Sequence, residues 1–107
     1  MTTFDKREEG FEKKFALDEE QKFKAEARRN RLLGLWAAEK LGIIGEAAAA
    51  YAKEVVAADF EEAGDGDVLR KVMTDFAAKS VAVTEQAIRA KMSELAAIAA
   101  AEVKAGK

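Results

Sequence analysis

Arg28, Arg29 and Arg31 stand in close succession ahead of Trp36, the chain's single tryptophan. A guanidinium fork matches a carboxylate or a phosphate through paired hydrogen bonds, so the cluster is a candidate patch for an acidic protein surface or a phosphate. With Trp36 as an aromatic platform, the same residues suit a small nucleotide-binding sensor with weak affinity for ATP or ADP. Two plainer roles stand beside these. The arginines can form a solvated face or pair with an acidic neighbouring helix, and a tryptophan is a common core anchor. The second polar concentration is the run Ala63–Gly64–Asp65–Gly66–Asp67 with Asp59, Glu61 and Glu62. It lacks the twelfth-position glutamate of a calcium loop and the lysine of a phosphate-binding loop. Its simplest reading is a break, with Gly64 or Gly66 ending one helix and Asp67 capping the next.

What is missing narrows the chemistry further. The chain has no histidine and no cysteine, which removes the commonest general base, thiol chemistry, disulfides and most zinc sites. Paired carboxylates such as Glu61 and Glu62 sit on a polar helix end with nothing to raise their pKa values. No metal, no obligatory cofactor and no catalytic role are therefore expected. A net charge of −2 offers no global attraction to nucleic acid or to anionic membrane. The N-terminus lacks the apolar core of a signal peptide, and no apolar run approaches the roughly 20 residues that span a bilayer. A soluble, cytoplasmic protein without direct membrane insertion is expected.

The elements that must position these residues are helices. Across 107 residues there are 24 alanines and no proline, and β-branched residues are few, so the pattern predicts an all-α fold with one small, closely packed core. Spacing predicts helices at about 18–41, 44–62, 67–79 and 84–104. The first has Asp18 as N-cap with Gln21 three residues on, Glu19 and Glu20 in the first turn, the pairs Glu20–Lys24 and Glu26–Arg29, and Gly42 as its left-handed stop. The second carries Ile44, Ala48, Tyr51, Ala52, Val55, Val56 and Phe60 on a broad apolar face, with Ala47 to Ala50 admitting close approach of another helix. A connection of only three residues, Leu41 to Ile43, makes the first two helices a tight antiparallel hairpin. Leu69, Val72, Met73 and Phe76 define the third helix. Ile88, Met92, Leu95, Ala99 and Val103 define the fourth, with Ser80 or Thr84 as its cap, and Val81 and Val83 tuck into the core. Charge runs in blocks: net −3 over residues 1–21, +4 over 22–40, −6 over 41–67 and +3 over 68–107. Such alternation suits ion pairing between helices or a polar docking face.

Residues 1–17 are helix-compatible but not self-sufficient. Phe4, Phe11 and Phe15 recur at seven and four residues, which places them on one face of a helix. Gly10 interrupts the segment at a cost of about 1 kcal/mol, and a lone helix of this length is marginal in water. A mobile, partly helical arm is expected. Its aromatic stripe either folds back onto the bundle or awaits a partner.

Several motifs carry a resemblance. They are Phe4-x-x-Arg7-Glu8, Lys14-Phe15-Ala16 followed by Asp18, Phe23-Lys24, Ala27-Arg28-Arg29-Asn30 and Leu33-x-x-Trp36-Ala37-Ala38. Together they resemble the zeta subunit of the F-type ATP synthase of alphaproteobacteria, over essentially the whole chain. The resemblance implies a four-helix bundle, 18–107, behind an inhibitory arm, 1–17. It implies a regulatory subunit that blocks ATP hydrolysis by inserting the arm at an alpha/beta catalytic interface of the soluble head, near the gamma stalk. Phe4, Arg7, Glu8, Phe11, Lys14 and Phe15 would be the arm contacts. The free protein would be a monomer, and the bound one peripheral to the inner membrane through the synthase.

Overall fold

The computed structural model describes residues 17–59 and 66–106. They form four helices: α1 Glu19–Leu41, α2 Glu46–Ala58, α3 Gly66–Ala78 and α4 Glu85–Lys104. α1 is the shared wall of the bundle. It packs most extensively against α2 on one side and α4 on the other, while α3 touches all three. The expected arm, apart from Leu17, lies outside the described residues, as do Phe60 and the expected last turn of the second helix.

The caps explain where each helix begins and ends. Asp18 Oδ1 accepts from the Gln21 backbone N–H at 2.7 Å, and Gln21 Oε1 accepts in return from the Asp18 N–H at 3.1 Å. This reciprocal pair satisfies donors that α1's own ladder leaves open. At the other end Gly42 takes φ +78°, and the Ile43 N–H donates to the Ala38 carbonyl at 2.9 Å. α2 starts two residues later than its apolar pattern suggests, because Gly45 adopts φ +63° immediately before Glu46. Ile44 therefore stands outside the helix and is 81% exposed, where spacing had placed it on the core face. α3 stops at Ser80, a non-glycine residue at φ +58°, with the Val81 N–H bonded to the Phe76 carbonyl at 2.8 Å. Of the two candidate caps for α4, Thr84 is the one used, its hydroxyl accepting from Ala87 N–H at 3.1 Å. Asp67 lies inside the first turn of α3, buried, rather than at its cap.

The core joins Leu33, Ala37 and Ala38 of α1, Tyr51 and Val55 of α2, Val68, Leu69, Val72 and Phe76 of α3, and Ile88, Met92 and Leu95 of α4. Ala99 and Val103 are buried further along α4, so its expected stripe is seated in full. Each fully buried Leu, Ile, Val or Phe contributes roughly 1.5–3 kcal/mol of transfer free energy. Trp36, Val81 and Val83 are half-buried against this cluster.

Small residues decide the distance between α1 and α2, but not the ones the alanine run suggests. Ala47, Ala49 and Ala50 face solvent because the inward face of α2 is set by Ala48, Tyr51, Ala52 and Val55. The close approach is at Gly34, where a Cβ would lie 2.6 Å from the Ala52 Cα and 3.3 Å from the Val55 Cβ. Gly34→Ala gains about 1 kcal/mol of helix propensity, yet it must push two backbones apart. We expect net destabilisation of about 1–3 kcal/mol, read as a lower midpoint in urea unfolding. An unchanged or raised midpoint would show that the hairpin spacing is not set there.

Candidate functional site

Three polar surfaces are built on α1, and the sequence-derived candidates divide among them. Arg28, Arg29, Arg31 and Trp36 do not assemble into one patch. Arg29 is buried, Arg28 is half-buried and Arg31 is exposed, while Trp36 lies on a separate groove. Helical geometry accounts for this. Successive residues turn by about 100°, so neighbouring arginines must leave α1 in different directions.

The first surface is a shallow groove near the start of α1, lined by Phe23, Lys24, Ala27, Arg28, Arg31 and Val56. Phe23, Ala27 and Arg31 follow one another at four-residue steps along α1, and Val56 enters from α2. Phe23 is 61% exposed. Arg28 Nη1 donates to Glu102 Oε1 at 3.3 Å, tying α1 to the end of α4. Lys24 Nζ sits 3.6 Å from Glu20 on the solvent side. The groove thus has an apolar floor and a basic rim.

The second is a buried polar cluster between α1 and the end of α2, which sequence reasoning missed. Asn30 is fully buried, and its Oδ1 accepts from Arg29 Nε at 3.0 Å and Nη2 at 2.6 Å. Among the described residues Asn30 Nδ2 makes no hydrogen bond of good geometry, although it lies close enough to Asp59 to act on it. Asp59 faces this cluster. Burial pushes its carboxyl up to about 6, helped by a hydrogen bond to Glu26 and that group's negative charge, while Arg29 and Asn30 pull in the opposite direction. Two carboxyl groups sharing a hydrogen bond favour one proton between them. Only the adjacency of Glu26, Arg29 and Asn30 was visible in the sequence; Asp59 arrives through the fold.

The third is a groove of about 560 Å³ at the far end of α1, lined by Trp36, Lys40, Thr84, Lys91 and Glu94 among others. Lys40 Nζ lies 5.4 Å and Lys91 Nζ 5.8 Å from the indole centroid, within cation–π range. The ring meets Phe76 edge-on, with centroids 5.8 Å apart. Trp36 is therefore both a core contact and one wall of an open groove. Lys40, one turn along from Trp36, was legible as its neighbour; Lys91, from α4, was not.

A fourth polar cluster joins α2 to α3. The Tyr51 hydroxyl donates to Asp75 Oδ2 at 2.7 Å, and Lys71 bridges Asp75 at 3.1 Å and Glu54 at 3.2 Å. Burial raises the Tyr51 pKa well above its ordinary value, and Asp75 adds to the effect. For Lys71, burial opposes the charge, but bonds to Asp75 and Glu54 outweigh it and raise the pKa. This is a structural staple. Among the described residues no group of acids could hold a metal ion, and no helix is long and apolar enough to cross a membrane. The expected arm contacts Phe4, Arg7, Glu8, Phe11, Lys14 and Phe15 lie outside the described residues.

Asp59 yields a pH prediction. Its folded pKa is raised, so the folded state holds the proton more tightly than the unfolded chain. The associated stability is fully present below the ordinary value of 3.8 and is lost as pH rises through about 6. Asp59→Asn, which cannot ionise, should raise the thermal midpoint at neutral pH, and the gain should fade in acid. A gain that persists unchanged in acid would show that ionisation of Asp59 is not its source.

The family model described as ATPase inhibitor subunit zeta matches residues 1–102. A protein solved by solution NMR is 54% identical, with a TM-score of 0.70, over 79% of this chain and 96% of that one. No curated protein matches.

Proposed function

Because this chain belongs to the ATPase inhibitor subunit zeta family, we propose that it blocks ATP hydrolysis by inserting residues 1–17 at an alpha/beta catalytic interface of the F-type ATP synthase head. The observation that carries this reading is the extent of the family match. It begins at residue 1 and so includes the arm as well as the bundle. The cap at Asp18 supports a division of labour between the two. Its reciprocal bonds with Gln21 close α1, in keeping with residues 1–17 as the working segment and residues 18–107 as its carrier.

In this mechanism Phe4, Phe11 and Phe15 form the apolar stripe that a closing interface buries, while Arg7, Glu8 and Lys14 pair around its rim and reach toward the gamma stalk. Ordering the arm costs conformational entropy, so tight binding needs the closed interface that hydrolysis produces. Hydrolysis is opposed more strongly than synthesis. The role is regulatory rather than catalytic, and it keeps the protein on the cytoplasmic side, peripheral to the inner membrane through the synthase. The free protein acts as a monomer.

Deletion of residues 2–17 should leave the helical circular dichroism of the bundle intact and abolish inhibition of the isolated catalytic head. A truncated chain that inhibits as well as the full one would overturn the arm mechanism. Within the arm, Phe11→Ala should weaken inhibition by about 1–3 kcal/mol if that ring is a buried anchor.

A second reading, weak binding of ATP or ADP, is favoured by one observation: Lys40 and Lys91 both lie within cation–π range of Trp36 in one groove. This moves the site away from the arginine cluster. Isothermal titration with either nucleotide should give heat that Trp36→Ala removes. The absence of both heat and amide shifts in the intact chain would sink the reading.

A further inference from the structure

Asn30 holds a hydrogen-bond donor in reserve. The residue is fully buried, and its Oδ1 accepts from Arg29 Nε at 3.0 Å and Nη2 at 2.6 Å. Only an oxygen can accept there, so the amide cannot turn over and Nδ2 is held on its other side. A buried donor left without a bond is costly. Among the described residues, the group near enough to take that bond is Asp59.

Asp59 stands between two partners on α1. Glu26 and Asn30 are four residues apart, about one turn, and both act on Asp59 where it caps the end of α2. Glu26 is exposed and Asn30 is buried. The bond to Glu26 favours a shared proton, while Arg29 and Asn30 draw Asp59 toward its charged form. The end of α2 does not suit that charge. The Asp59 backbone N–H closes on the Val56 carbonyl at 3.2 Å, so the carboxyl lies at the negative end of the α2 dipole. Glu26 sets a second negative charge beside it. Among the described residues no charged group of α2 itself, α3 or α4 acts on Asp59. Arg89 of α4 borders the far side of Arg29 and is bonded to Glu85 at 2.9 Å. Loss of the proton therefore breaks the bond to Glu26, repels the carboxylate from the surface position and attracts it to the buried donors.

We propose that Asp59 is a two-position switch at the seam between α1 and α2: protonated, it pairs with Glu26 at the surface; ionised, it turns inward to Asn30 Nδ2 and Arg29. The proton leaves to solvent on the exposed Glu26 side. The inward position satisfies the donor that Asn30 holds open and draws the last turn of α2 closer to α1. Val56, three residues before Asp59, lines the surface groove with Ala27 and Arg31, so the shape of that groove follows the switch. The device lies within the bundle and is independent of how residues 1–17 act.

NMR of the full chain, followed from about pH 4 to 8, reads both positions. The Asp59 carboxyl carbon should titrate at about 6. The Asn30 side-chain amide should move downfield with the same midpoint as it gains an acceptor. Glu26→Gln removes the surface partner at an exposed position, and both midpoints should fall together toward the ordinary 3.8. Asp59→Asn should abolish the amide shift. The double variant Glu61→Gln, Glu62→Gln, which neutralises the acids next in sequence, should leave it in place. An Asn30 amide that stays put while Asp59 titrates would overturn the switch, because the carboxyl would then lose its proton without changing partner. So would an amide shift that survives Asp59→Asn, or an Asp59 midpoint at the ordinary value in the intact chain. No ATPase enters this measurement, so its outcome is separate from that of the inhibition assays.

Discussion

The bundle depends on a side chain that is absent. Gly34 lets α1 and α2 approach until a Cβ at that position would meet the Ala52 backbone at 2.6 Å. That contact fixes the register of the hairpin and places Tyr51 and Val55 against Leu33 and the α3 residues Val72 and Phe76. In a core so rich in alanine, interhelical distance is the main variable available for gaining contact. Dispersion falls steeply once surfaces separate by a fraction of an ångström. One glycine in mid-helix costs about 1 kcal/mol of propensity, and the dense packing around it more than offsets that cost.

From this seam the polar groups fall into place by necessity. Arg29 and Asn30 share the stretch of α1 that turns toward the end of α2, so they are buried, and Asn30 Oδ1 accepts two bonds from Arg29 beside Asp59. Arg28 and Arg31 project elsewhere, Arg28 half-buried and bonded to Glu102, Arg31 exposed. A cluster that reads as one basic patch in sequence thus becomes a structural pair and a surface rim. The alternating charge blocks meet through Lys71–Glu54, which joins an acidic block to a basic one, while Arg28–Glu102 links two basic blocks through a local acid. These partly exposed pairs contribute little individually, on the order of 0–1 kcal/mol each. Their value lies in setting which helix faces which.

How much of this was legible follows from the range of each interaction. Local signals were read correctly: the Asp18–Gln21 box, the Gly42 stop, the Glu20–Lys24 pair and the full α4 stripe from Ile88 to Val103 each depend on residues within one or two turns. The misplaced residues needed knowledge of a partner. Ile44 has apolar spacing, but Gly45 starts α2 after it. The run Ala47–Ala50 suggests close packing, but the inward face of α2 is decided by Tyr51 and Val55. Asp59 gains its raised pKa only because α1 delivers Glu26 and Arg29 to it. The Trp36 groove likewise needed Lys91 from the opposite helix.

The family's inhibitory role places a demand on Asp18 that the bundle alone does not. An N-cap of this kind contributes about 1 kcal/mol, comparable to the cost of Gly10 within a helical arm. Terminating α1 at Asp18 and extending it backward through the arm therefore differ by little in local energy. Burial of even one phenylalanine in a partner interface, worth roughly 1.5–3 kcal/mol, is enough to reverse the preference. In the proposed mechanism the choice between a capped helix and one continuous rod is then made by the surface that covers Phe4, Phe11 and Phe15. On that mechanism the first turn of α1, rather than its tryptophan end, is the point at which the chain would respond to its partner.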